Sequence, residues 1–130
     1  MKTILLILSL VVITSCNRNE ESREETNDLV GRWSLMSLHP GLGQPHAYDN
    51  GDIIWTFNSD NTIDVTLLVT PLNNLLPLNQ NGSYSYNIIS DDSLSVDSRD
   101  YKYEFEDQVL RLLDNPESDG KTIIFQKIEN

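Results

Sequence analysis

Apolar side chains recur at every second position through most of the chain after residue 29. The alternation is clear in Ile53, Trp55 and Phe57, where polar or smaller residues fill the positions between. Successive side chains of a β-strand point to opposite faces, so a period of two is typical of a strand with one buried face. The pattern predicts eight strands, within residues 31–38, 53–57, 63–69, 83–88, 94–96, 101–105, 109–113 and 121–128.

No segment has a convincing helical pattern. Ala47 is the single alanine of the chain, and a composition this poor in the strongest helix former favours β-structure. The best helical candidate is residues 72–78, but Pro71 and Pro77 leave room for one short turn at most. We therefore expect an all-β fold.

A chain of consecutive hairpins has to hide one apolar face and two sheet edges, and closure into a barrel hides both. In up-and-down order, successive turns fall at opposite ends of the barrel. The short turns then meet at one end, and three of the four turns at the other end are long: residues 39–51, 71–81 and 114–120. We predict an antiparallel, up-and-down, eight-stranded barrel with its first and last strands paired, a closed end, and a mouth rimmed by loops.

The first sixteen residues combine a positive charge with a short apolar run. Lys2 precedes about ten mostly apolar residues that begin at Ile4, whereas a membrane-spanning helix needs about 20. The run ends in Ile13-Thr14-Ser15-Cys16, which resembles the lipobox of bacterial lipoproteins. The resemblance implies a signal peptide over residues 1–15 and a Cys16 that carries acyl chains such as palmitate. An ordinary signal peptide with an accidental cysteine is the alternative.

Residues 17–28 contain no apolar side chain, so we expect residues 16–28 to form a lipidated N-terminus and an acidic, solvated tether. The domain then spans residues 29–130. Glu20 and Glu21 resemble the surface-export signal of some Gram-negative lipoproteins, and a generic acidic linker is the alternative. The expected location is the cell envelope, with the lipid in the outer membrane and the domain either periplasmic or surface-exposed.

Charge and motifs exclude several functions. The chain carries 9 Lys and Arg against 20 Asp and Glu, a net charge of −11, which argues against nucleic acid as a partner. It has no metalloprotease, nucleophile-elbow or phosphate-loop motif, so we expect neither an enzyme nor a cofactor. His39, His46, Asp49 and Asp52 share one loop and would suit a metal, but we interpret them as solvated loop residues and expect no metal site.

Four short motifs resemble small bacterial lipocalin-like lipoproteins. They are the Gly-x-Trp of Gly31 and Trp33, the turn at residues 57–62, the Gly-Ser-Tyr at 82–84 and the terminal Ile-Phe-Gln-Lys at 124–127. The resemblance implies that Trp33 packs at the closed end beneath a cation from the last strand, for which Lys127 is the candidate. It departs from the family because lysine replaces arginine there and Asn61 replaces the usual turn glycine.

The candidate binding site lies at the mouth. Leu72, Leu75, Leu76 and Leu78 form a leucine segment in a predicted mouth loop. We expect the other site residues to be Tyr48, which could reach inward from the first loop, and the interior residues Tyr84, Tyr86 and Tyr103. Three interpretations stay open: a plug packed into the barrel, a lid over an apolar ligand, or an exposed patch for a partner. Residues 29–130 carry a charge of −9 (6 basic, 15 acidic), which disfavours anionic ligands. We expect a binding protein for a small apolar or amphipathic molecule. The alternative is an interaction or scaffolding lipoprotein with a solid core.

Overall fold

The computed structural model describes residues 28–71, 75–114 and 120–129. Inferences about the signal peptide, Cys16 and the tether before residue 28, as well as about Leu72, lie outside these residues. The described chain forms nine strands: β1 (Gly31–His39), β2 (His46–Ala47), β3 (Ile53–Phe57), β4 (Thr62–Leu67), β5 (Gly82–Ser90), β6 (Ser93–Val96), β7 (Arg99–Glu106), β8 (Val109–Leu113) and β9 (Thr122–Ile128).

Eight of these strands close into an antiparallel barrel, and the predicted fold class is confirmed. Around the barrel the order is β1-β3-β4-β5-β6-β7-β8-β9, and β9 pairs back onto β1. The closing register pairs Trp33 with Lys127 and Leu35 with Phe125. In this closed order of eight strands, β3 and β7 are four strands apart in either direction, so they lie on opposite walls.

The two ends of the barrel differ as the turn lengths predict. At the closed end, β3–β4, β5–β6 and β7–β8 are joined by turns at residues 58–61, 91–92 and 107–108. Asn61 stands at φ 65°, a left-handed conformation that asparagine tolerates. The connections between β1 and β3, between β4 and β5 and between β8 and β9 surround the mouth in their described parts, which are residues 40–52, 68–71, 75–81, 114, 120 and 121.

The ninth strand, β2, was not predicted. Its two residues are too few to carry a periodic signal, and they lie inside the connection predicted as a loop at 39–51. Along β1, the pairing with β3 covers Gly31–Ser34 and stops there. β2 continues the ladder on the same side of β1, where Ser37 pairs with Ala47 and Leu38 with His46. The backbone around β2 then covers Ser34, whose buried hydroxyl oxygen accepts a hydrogen bond from the Gly51 backbone N–H at 2.8 Å.

Alternate residues of the eight barrel strands supply the core. Trp33, Trp55, Phe57 and Phe125 are the largest fully buried side chains, and most other members are leucine, isoleucine, valine or tyrosine. Rings pack closely, with centroids 4.8 Å apart for Trp55 and Phe125. No helix among the described residues has the length and apolar character needed to cross a bilayer.

Candidate functional site

The described part of the leucine segment, residues 75–78, crosses the mouth in the connection between β4 and β5. Leu76 and Leu78 are buried in the core, whereas Leu75 is half-buried and packs against it; Leu72 lies outside the described residues. The Lys121 ammonium group, immediately before β9, donates a hydrogen bond to the Leu75 carbonyl oxygen at 3.1 Å. Since β5 and β9 stand on opposite walls, this bond ties the segment across the barrel opening.

Two of the predicted tyrosines lie near the mouth. Tyr48 and Tyr84 are half-buried and pack against the core cluster. The Tyr84 hydroxyl donates a hydrogen bond to the Gln80 carbonyl oxygen at 2.9 Å, so it reaches toward the mouth connection that contains the leucine segment. The Tyr48 backbone N–H donates to the Met36 carbonyl at 2.9 Å, which holds the first mouth loop against β1.

The other two tyrosines extend away from the mouth, contrary to the predicted grouping. The Tyr86 hydroxyl donates to the Asn58 carbonyl at 2.9 Å, and the Tyr103 hydroxyl donates to the Ser90 carbonyl at 3.3 Å. Both acceptors lie at the closed-end turns. Alternation correctly turns both side chains inward, but the lengthwise direction of an interior side chain depends on strand stagger, which alternation does not encode. Burial raises the pKa of Tyr86, and the nearby Asp60 adds to the effect.

Two interior polar atoms were not predicted as site atoms. Among the described residues, Trp55 Nε1 and Tyr101 Oη are the buried side-chain polar atoms that have no hydrogen-bond partner. Trp55 belongs to the alternating set of β3, and Tyr101 alternates in the same way with Tyr103 in the predicted strand 101–105. The polar atom at the end of each of these inward side chains was the signal available in the sequence. Burial raises the pKa of Tyr101 to about 12; Arg99, 5.9 Å from the ring centroid, opposes the rise, and Asp114 adds to it.

At the closed end, Trp33 is buried and its Nε1 donates to the Leu29 carbonyl oxygen at 2.8 Å. Lys127 Nζ lies 5.5 Å from the Trp33 ring centroid, within the range of a cation–π contact. Gly31 stands at φ +140°, and a Cβ there would lie 3.3 Å from Lys127 Cε. The cation expected from the lipocalin resemblance therefore occupies the predicted position, although it is a lysine.

Two surface pockets lie at opposite ends of the barrel. One of about 230 Å³ opens at the closed end beside Trp33, Phe105 and Lys127. The other, of about 310 Å³, opens at the rim, where the register aligns His39, Thr122 and Leu113. Their strand neighbours Leu38, Ile123 and Leu112 are buried in the core, so the rim pocket faces outward from the barrel wall.

The described residues contain no group of three or more His, Cys, Asp or Glu side chains that is close enough to hold a metal ion. His39 Nε2 lies 3.3 Å from the Ser37 hydroxyl oxygen, a hydrogen-bond contact on the surface. The arrangement of the mouth is suited to binding, because it combines an apolar interior with a small number of polar atoms.

Comparison with known proteins gives a structural likeness alone. No family model matches the chain, and no curated protein matches it. A lipocalin-like protein from Bacteroides uniformis superposes with a TM-score of 0.55 at 17% sequence identity, over 78% of this chain and 99% of that protein. An uncharacterized protein from Bacteroides eggerthii superposes with a TM-score of 0.54, also at 17% identity, over 77% of this chain and 99% of that one. The chain therefore has the fold of a lipocalin-like β-barrel.

Proposed function

We propose that the protein is a lipid-anchored, lipocalin-like binding protein that holds a small apolar or amphipathic molecule at the mouth of its barrel. It has no catalytic role and needs no cofactor or metal. The observation that carries the proposal is that residues 75–78, the described part of the leucine segment, cross the mouth and are tied to the far wall by Lys121. A closed barrel of eight strands is wide enough to hold one small ligand where interior side chains leave room.

The partly buried side chains support a ligand position near the mouth. Leu75, Tyr48 and Tyr84 all pack against the core while keeping part of their surface exposed. Phe57, Tyr86 and Trp33 fill the closed end. We therefore expect the ligand to lie inside the barrel near its mouth, beneath Leu75, Leu76 and Leu78.

Anchoring at Cys16 is supported by the lipobox-like sequence Ile13-Thr14-Ser15-Cys16. Each acyl CH₂ placed in a membrane contributes about 0.8 kcal/mol, so two or three chains hold a small domain firmly. The described chain begins at the closed end, where the Asp28 carbonyl accepts a hydrogen bond from Lys127 Nζ at 3.5 Å. A tether from Cys16 would join that end, and the mouth would point away from the outer membrane.

The second candidate is an interaction or scaffolding lipoprotein whose barrel has a solid core. Two observations favour it: Leu76 and Leu78 fill part of the barrel top themselves, and two exposed leucines stand on the mouth connections. Leu42 is 86% exposed and Leu68 is 73% exposed, which is a large apolar surface for two loop side chains.

Binding of N-phenyl-1-naphthylamine, a neutral apolar fluorescent probe, separates the two candidates. Replacing all the leucines together would remove Leu76 and Leu78 from the core, at about 2–5 kcal/mol each, so the test uses Leu75→Ala. We expect Leu75→Ala to weaken probe binding about fivefold, because part of the probe's apolar contact is lost. Leu68→Ala, on the same connection but exposed, is the matched control and leaves binding unchanged. Absence of binding to the unmodified protein would support the scaffolding function.

A further inference from the structure

Two polar atoms inside the barrel lack the partners that buried polar groups normally have. Within residues 28–71, 75–114 and 120–129, they are Trp55 Nε1 and Tyr101 Oη. Trp55 is 0% exposed and Tyr101 is 2% exposed, so bulk water does not satisfy them. Nearly all buried polar atoms in proteins are hydrogen-bonded, and an unpaired one calls for a specific explanation.

The two atoms belong to opposite walls of the barrel. Trp55 is on β3 and Tyr101 on β7, four strand steps apart in both directions. Both residues occupy inward positions, as their buried alternate neighbours Phe57 and Tyr103 show. Eight strands spaced about 4.8 Å apart enclose an interior roughly 15 Å across between backbones, so two long side chains from facing walls approach a shared central space.

Both atoms are hydrogen-bond donors. An indole N–H donates and never accepts. The Tyr101 hydroxyl carries its proton at neutral pH, as any tyrosine does, and burial raises its pKa further, to about 12. A bound molecule that satisfies Trp55 Nε1 must therefore supply an acceptor atom, and the same acceptor can take a hydrogen bond from the Tyr101 hydroxyl.

The surroundings restrict the charge of that molecule. The buried residues of the described chain are apolar or aromatic apart from Ser34. The Arg99 guanidinium lies 5.9 Å from the Tyr101 ring centroid, but it is exposed and already paired with the Asp114 carboxylate, so it is not free to neutralise an anion. Phe125 lies against Trp55 at a centroid distance of 4.8 Å and makes that wall apolar. An ionised carboxylate would pay the full cost of desolvation in this space.

We propose that the barrel interior binds a neutral, mainly apolar molecule with a carbonyl or similar acceptor oxygen, to which Trp55 Nε1 and Tyr101 Oη donate hydrogen bonds. This inference rests on the proposed function and adds the chemical class of the ligand. The leucine segment covers such a molecule from the mouth side. A single carbonyl oxygen has two lone pairs and accepts from both donors.

Three probes of similar shape test the proposal on the full-length protein. Acetophenone is neutral and has a carbonyl acceptor, ethylbenzene has no acceptor, and benzoate is an anion. The chain has two tryptophans, so the ¹⁵N-labelled protein gives one indole N–H signal for Trp55 and one for Trp33, with Trp55→Phe providing the assignment. We expect acetophenone to move the Trp55 indole proton downfield and to bind about fivefold more tightly than ethylbenzene or benzoate. The Trp33 signal stays in place because that N–H is already bonded to Leu29.

A pair of tyrosine variants isolates the second donor. Tyr101→Phe should lower acetophenone affinity about fivefold and leave ethylbenzene affinity unchanged. Tyr103→Phe is the matched control, since its hydroxyl donates to the Ser90 carbonyl at the closed end, and it should alter neither affinity. An unchanged Trp33 indole signal in each variant shows that the barrel remains folded.

Specific results would overturn the proposal. Equal affinity for acetophenone and ethylbenzene, or no effect of Tyr101→Phe, would reject the hydrogen-bonding role while leaving the proposed function intact. A long-lived water that still contacts the Trp55 indole proton at saturating acetophenone would assign the donors to internal solvent. Failure of the interior signals to respond to any probe, together with absence of naphthylamine binding, would reject the proposed function as well.

Discussion

At the scale of single residues, the closed end shows how a glycine, a tryptophan and a lysine depend on one another. The backbone conformation of Gly31, at φ +140°, is one that other residues rarely adopt. The space beside it is occupied by the Lys127 stem, whose ammonium group lies near the Trp33 ring. The Leu29 carbonyl oxygen accepts the hydrogen bond from the Trp33 indole N–H. The first turn of chain before β1 is therefore fastened directly to the core.

Replacing Trp33 by alanine tests this arrangement. The ring is buried and packs 5.9 Å from Phe105, so we expect the free energy of unfolding to fall by about 3–5 kcal/mol, as for other large aromatic truncations. Urea denaturation followed by circular dichroism measures the change. Lys127→Met, which keeps the packed stem and removes the charge, is the control and should cost about 1 kcal/mol or less. A loss below about 1 kcal/mol for Trp33→Ala would contradict the assigned core position.

At the scale of elements, local irregularities decide which residues reach the interior. β1 has a bulge between Leu35 and Ser37, so Leu38 points inward where strict alternation would place Ser37. β4 ends at Leu67 although the alternation predicts a strand to Val69. Backbone pairing with β3 reaches one residue further, because the Leu68 backbone N–H donates to the Asp52 carbonyl at 2.8 Å, in register with the pair of Ile53 and Leu67.

The tie across the mouth gives a prediction for one element. Lys121→Met keeps the aliphatic stem but removes the hydrogen bond to the Leu75 carbonyl, which we expect to contribute about 1 kcal/mol at this half-buried position. Amide hydrogen exchange of residues 75–81 should then accelerate about fivefold, while the barrel strands keep their protection. Lys102→Met is the matched control, since its contact to Asp92 lies on the surface at the closed end. Unchanged exchange in the mouth segment would show that Lys121 does not hold it.

At the scale of the whole molecule, the net charge and the proposed lipid anchor would determine how the domain lies relative to a membrane. Residues 29–130 carry a net charge of −9, so an anionic membrane surface repels the domain. The acyl anchor that we propose at Cys16 would overcome this repulsion, and the twelve residues of 17–28 would span at most about 40 Å when extended. The domain would remain near the membrane while its mouth stays open to the solvent.

Replacing Cys16 by serine tests the anchor. The serine hydroxyl is not a substrate for thioether formation, so the variant either accumulates as unprocessed precursor or is released into the soluble fraction. Fractionation of the cell envelope and the intact mass of the protein measure the outcome. A variant that matures and stays with the membrane as the wild type does would contradict lipidation at Cys16.

The fold could be read from the sequence because its signals are local. A period of two reports which face of a strand is buried, and turn lengths report which ends are tight. These signals suffice for the eight barrel strands and for the pairing of β1 with β9, since a meander of one-faced strands has few other ways to hide its edges. They fail for β2, whose two residues carry no period.

For the candidate site too, local sequence signals predict some features and miss others. The inward positions of Trp55, Tyr86 and Tyr101 follow from alternation alone. Their directions along the barrel do not, because these depend on the stagger between strands that are distant in sequence. Sequence by itself thus determined the barrel, its closed end and the apolar character of its interior. Only the tertiary structure decided that Tyr86 is bonded to Asn58 at the closed end while Trp55 and Tyr101 remain unpaired donors, since hydrogen bonding inside a closed sheet is settled by contacts between opposite and staggered walls.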